Sequence, residues 1–113
     1  MITQIQLQLV KETLQVRPRP ADEAVLHAVQ CVGNFYCRTN DRMAAYLLSE
    51  VIRDSLIPEH IRSTAYILLL EVVSCPLELF PKDFSIFDFH RDVRWDIIDQ
   101  YRADEAEQRL ELT

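Results

Sequence analysis

Between Pro58 and Pro76 the chain reads EHIRSTAYILLLEVVSC, and this bounded stretch limits what the whole sequence can become. Proline is tolerated in the first turn of a helix and cannot continue one, so the two prolines frame a helix from Glu59 to about Cys75. From Ala65 to Val73 apolar side chains point almost all the way round it. A helix of that kind has no face to give to water and sits centrally, packed on both sides. Glu71 interrupts the run, and a buried carboxylate there needs a partner such as an arginine or a hydroxyl.

The flanking stretches also read as helices. Asp22 is the expected N-cap of a helix to about Tyr36, with Val25, Val29, Val32 and Tyr36 on one stripe. Its lone Gly33 costs ~1 kcal/mol relative to Ala, which points to close helix packing at that site. The next helix starts after Asn40 or Asp41 and ends near Leu56, with Met43, Leu47, Val51, Leu48 and Ile52 as apolar rows. Residues 2–16 are ambiguous: Ile5, Leu7 and Leu9 alternate as in a strand, whereas Ile2, Ile5, Leu9 and Val10 recur at helical spacing. We take helix here; a strand would make the fold α+β. Residues 17–20 form a proline-rich connector, because Pro18 and Pro20 hold the arginines before them extended. A single glycine in 113 residues argues against a turn-rich β architecture. The expectation is one all-α domain over residues 1–113, a bundle or short α-solenoid of about five helices.

Two of these helices carry nearly the same text. RMAAYLLSEV from Arg42 and RSTAYILLLEV from Arg62 repeat Arg42/Arg62, Ala45/Ala65, Tyr46/Tyr66 and Leu48/Leu68, and DVRWDII from Asp92 echoes HIRSTAY from His60. Over residues 42–101 this pattern resembles HEAT-type α-helical repeats, although Ile97 stands where the third unit would have a small residue. The resemblance implies stacked helical hairpins and an interaction function.

Composition removes several function classes. No apolar run approaches the roughly 18 residues that span a bilayer, and the N-terminus lacks the basic start and cleavage site of a secretory signal, so a cytoplasmic protein is expected. Cys31, Cys37 and Cys75 are odd in number and have no CxxC pairing, which suggests buried thiols and neither disulfides nor zinc. Residues 1–56 hold six acids and six bases, whereas residues 57–113 hold twelve acids and six bases, so the whole net charge of −6 lies in the second half. That asymmetry points to a partner surface and against direct nucleic-acid binding.

The segment LFPKDFSIFDFHRDVRWDIIDQYRADEAEQRLEL holds six of the ten aromatic residues and nine of the eighteen acids. Read as one helix from Asp88 to Gln108, it places Asp88, Asp92, Asp96 and Asp99 in a narrow stripe, with Val93, Ile97 and Tyr101 opposite. Trp95 projects beside the stripe, flanked by Arg91, Ile98 and Arg102. Asp88, Arg91, Asp92, Trp95, Asp96, Asp99 and Arg102 are therefore the candidate partner-binding residues: an aromatic anchor bordered by carboxylates that steer a basic protein. A plain solvated face, with Trp95 tucked against the Phe80–Phe89 loop, is the competing reading.

Catalytic, cofactor and metal sites find little support. His27, His60 and His90 are isolated, no HExxH occurs, and one glycine cannot build a phosphate-binding loop. The leading expectation is a non-enzymatic domain that docks a basic partner, in its most concrete form an immunity protein or inhibitor neutralising a toxin or a nucleic-acid-processing enzyme. Alternatives are a nucleic-acid mimic whose aspartates imitate phosphates, a small structural or adaptor subunit, a homodimer closing over Trp95, and an enzyme using Glu71 or His90.

Overall fold

The computed structural model describes residues 21–82 and 86–101, together with Gln8, Glu12 and Thr13. Three helices form the body: α1 (Asp22–Phe35), α2 (Arg42–Arg53) and α3 (Glu59–Val72). A 3-10 turn (Leu77–Leu79) leads to two single-turn helices, α4 (Phe89–Asp92) and α5 (Trp95–Ile98), and a second 3-10 turn (Asp99–Tyr101). The described residues contain no strand, so the fold is all-α. Within the ambiguous N-terminal stretch Gln8, Glu12 and Thr13 are helical, and Gln8 Nε2 donates to Glu12 Oε1 at 3.4 Å. The rest of residues 2–16 and the 17–20 connector lie outside the described residues.

The proline-framed helix is central, but not covered all round as its apolar text suggests: Ser63, Thr64, Ile67, Leu68 and Glu71 stay half-exposed on one face. α3 packs against α1, α2 and α4, and it buries Ile61, Ala65, Tyr66, Leu69, Leu70 and Val72. Val25, Ala28, Val29 and Val32 of α1 cover one side of the core, and Ala44, Leu47, Leu48, Val51 and Ile52 of α2 cover another. Gly33 marks a close approach: a Cβ built there would lie 2.6 Å from Leu68 Cβ, inside any tolerable contact. The glycine is kept at the expense of helix propensity because α1 would otherwise be pushed off α3.

Helix ends are set by polar groups more than by the apolar pattern. Asp41 caps α2, its carboxylate accepting the Ala44 N–H at 2.9 Å. α1 instead begins after Ala21 with no side-chain cap, and Asp22, the expected cap, lies in the first turn with Glu23, where carboxylates favour the positive end of the helix dipole. α2 stops at Arg53, short of Leu56, because extended Asp54 turns the chain and its carboxylate accepts the Leu56 N–H at 2.9 Å. α3 stops at Val72, short of Cys75. Ser74 there adopts φ 56°, the Cys75 N–H returns to the Leu70 carbonyl at 2.9 Å and the Ser74 N–H to that of Glu71 at 3.3 Å. That is a Schellman ending with serine in the left-handed position. The α1–α2 loop completes it: Arg38 and Asn40, both at positive φ, donate their N–H groups to the carbonyls of Glu71 and Val72.

One cysteine expectation fails. Cys37 lies in the turn after α1 and is exposed, while Cys31 and Cys75 are half-buried, and all three are free thiols.

Candidate interaction surface

The C-terminal aromatic segment is not the continuous helix that its spacing suggests. It breaks at Val93 and Arg94, both extended, into α4 and α5. The reason lies in which side chains must go inside. Phe89, Val93, Ile97 and Ile98 are all buried. In one straight helix Phe89 and Ile98, nine residues apart, would face about 180° from each other and could not reach the same core. Breaking the helix lets both do so, and the single stripe of aspartates is lost with it. The part of the expected helix beyond Tyr101, including Arg102, lies outside the described residues.

Four groups of the three-helix body hold this segment. Arg62, only 8% exposed, places its guanidinium 4.3 Å from the Phe89 ring centroid and donates from Nε to the Ile52 carbonyl at 2.8 Å. Burial lowers its pKa from the ordinary value, opposed by the charges of Glu59 and Asp54. Tyr66 Oη accepts the Arg94 N–H at 3.3 Å, the group left over where the helix breaks, and its ring stacks on Phe87 at 6.2 Å. Arg53 donates from Nη2 to the Ile98 carbonyl at 2.7 Å and from Nη1 to Ser49 Oγ at 3.0 Å. Ser49 Oγ, 2.7 Å from the Tyr46 carbonyl of its own helix, shares its one hydroxyl proton with the Tyr101 carbonyl at 3.1 Å.

The two copies of the repeated block share this task unequally. Ala45 and Ala65 are both fully buried at helix contacts. Arg62 is buried under Phe89, whereas its counterpart Arg42 is exposed, with its guanidinium 6.0 Å from the Tyr101 ring. Each arginine thus meets an aromatic residue of the C-terminal segment.

The candidate residues fall into three local groups. On α4, Asp88 caps the helix by accepting the His90 and Arg91 N–H groups, and Asp92 accepts the Asp88 N–H at 2.9 Å together with two bonds from the Arg91 guanidinium. The Arg91 guanidinium, followed by that Asp88 N–H, holds the Asp92 carboxyl down at about 2. On α5, Arg94 forms a two-pronged pair with Asp96 at 3.1 and 2.8 Å, which lowers the Asp96 pKa. Asp99 lies 3.7 Å from Arg53 Nη2. Trp95 is 38% exposed and meets Phe89 edge to face at 6.0 Å. The indole is therefore seated on a buried ring on one side and open on the other.

Arg53, Arg62 and Tyr66, which fix this geometry, carry no functional motif in the sequence. The available signal is Arg62 itself, a cation one turn before the all-round apolar run of α3 and repeated at Arg42. Glu71 is half-buried. His90 Nε2 pairs with Glu59 Oε1 at 3.0 Å on the surface. Among the described residues no three His, Cys, Asp or Glu side chains converge as a metal site would require, and no helix is long and apolar enough to cross a membrane. No protein family, curated protein or solved structure matches the chain.

Proposed function

We propose that this chain is a protein-interaction domain that docks a basic partner through the surface of α4 and α5, with Trp95 as its anchor. The observation that carries this reading is the position of Trp95: an indole on a segment clamped to the core, backed by buried Phe89 and bordered by exposed Asp96. Such an anchor loses little freedom on binding, so its burial converts efficiently into affinity.

The carboxylates act differently from the sequence expectation. Asp92 and Asp96 each already hold an arginine of this chain, so a partner's lysine or arginine would add to mixed-charge clusters and not to a bare acidic stripe. This favours orientation over raw electrostatic attraction. Mimicry of nucleic acid draws less support, because the even spacing of phosphates has no counterpart along a segment broken at Val93 and Arg94. An inhibitor or immunity protein that covers a cationic site, acting in the cytoplasm where free thiols persist, is the concrete form of the reading.

The test is affinity capture from native lysate with wild type beside a Trp95→Ala, Asp96→Asn, Asp99→Asn variant, read by mass spectrometry. A basic protein retained by wild type and lost by the folded variant is the expected result. Identical prey for both would reject this surface.

A further inference from the structure

A second concave surface lies along the outer face of α3. His60, Ser63, Thr64, Ile67 and Leu68 follow the 3-4 spacing of one helical face, and with Phe87 as a side wall they line a groove of about 440 Å³. Its floor is apolar at Ile67 and Leu68, each half-buried in a helix whose other sides are packed. A second hollow of about 430 Å³ continues it past His60, Ser63 and Phe87 to Glu59, Asp88 and His90.

Charge is arranged along this face in a consistent way. Glu59 and Asp88 stand exposed at one end, and Glu71 stands one turn beyond Ile67 and Leu68 toward the other. Glu59 and Glu71 are separated by about 18 Å of helix rise. Among the described residues neither hollow is lined by lysine or arginine. His90 Nε2 lies 3.0 Å from Glu59 Oε1, Arg62 also attracts Glu59, and Arg91 attracts Asp88, whose Oδ1 caps α4, so an incoming cation joins a partly compensated acidic cluster at that end and meets Glu71 toward the other. The apolar middle with carboxylates at both ends has a definite complement.

We infer that this groove receives an amphipathic helix of a basic partner protein, with two apolar anchors one turn apart on Ile67, Leu68 and Phe87 and a lysine or arginine toward each end. Helix-in-groove binding of this kind uses anchors at the same 3-4 spacing that α3 presents. The inference rests on the interaction function proposed above and adds the partner's shape and a second contact, since Asp88 belongs both to the α4 surface and to the rim of the groove.

The probe is a fluorescein-labelled synthetic helix with leucines one turn apart and lysines near both ends, titrated by anisotropy against the full chain. Its twins carry glutamates for the lysines or glutamines for the leucines. The lysine peptide should bind and both twins should fail. Thr64→Arg, which places a cation in mid-groove at a half-exposed helical position, should weaken binding about tenfold or more while circular dichroism stays unchanged. Ser63→Lys serves the same purpose should Thr64→Arg disturb folding. Trp95→Ala should leave this peptide's affinity within about twofold. Binding lost with Trp95→Ala and kept with Thr64→Arg would overturn the groove while leaving the α5 anchor standing. Equal binding of the glutamate twin, no binding of the lysine peptide, or a dimer of the chain broken by Thr64→Arg would also overturn it.

Discussion

The Arg62 guanidinium stacks 4.3 Å from the centre of the Phe89 ring while its Nε holds the last-turn carbonyl of Ile52 at 2.8 Å, so one side chain joins α2, α3 and α4. Arg62→Ala removes the stacking and leaves a buried carbonyl unpaired, and each loss is worth about 1–2 kcal/mol. Urea denaturation should show a loss of about 3 kcal/mol for Arg62→Ala. Arg62→Lys, which keeps charge without the planar face, should lose less than Arg62→Ala.

Arg53 makes a more local prediction. Arg53→Met removes the donor to the Ile98 carbonyl and the pairing with Asp99 but leaves the α1–α3 core intact. Amide exchange at residues 97–101 should quicken about tenfold or more, with protection in α1 and α3 nearly unchanged.

Gly33→Ala should destabilise the protein in spite of alanine's better helix propensity. The new methyl would meet Leu68 Cβ at 2.6 Å, and overpacking of this kind costs about 1–3 kcal/mol. Adding Leu68→Ala should restore only part of the loss, because the contacted Cβ remains. A thermal melt of the single and double variants reads both effects.

Ser74→Gly should act in the opposite direction. Serine at φ 56° carries a steric penalty that glycine avoids, and the Schellman bonds around it are backbone bonds that survive the change. A gain of about 1 kcal/mol is expected from chemical denaturation.

The Asp92 carboxyl, held at about 2 by Arg91 and the Asp88 N–H, gives the acid limb a defined sign. Its folded value lies below the unfolded one of about 3.9, so its contribution is complete above that value and disappears as pH falls through about 2. Carboxyl NMR titration of wild type should place Asp92 below the unpaired aspartates. Arg91→Gln should move it back toward the ordinary range.

Much of the body was legible in the sequence for a physical reason. The prolines at 58 and 76, the valine stripe of α1 and the cost of Gly33 are local signals of burial, and α3 lies centrally as they imply. In the C-terminal segment helical periodicity runs on through Val93, where the chain breaks. The text contained the contradiction: Phe89 and Ile98 are both large and apolar yet fall on opposite sides of one helix. Trp95 as a part-exposed ring was readable. The pairing of Asp96 with Arg94 was not, since it depends on the break that sets Arg94 beside Asp96 and Tyr66 beneath the Arg94 amide.

The clamps that seat this segment take hold of its main chain: Arg53 on the Ile98 carbonyl, Ser49 on that of Tyr101, Tyr66 on the Arg94 amide. None of the three bonds is made to a side chain of residues 94, 95 or 96, although Arg53 Nη2 also lies 3.7 Å from the Asp99 carboxylate. Scaffold and lettering are thereby uncoupled, and mutation can rewrite the outward side chains of α5 one at a time while the seat beneath them stays the same. A chain built this way can change the outward surface of α5 without first having to refold.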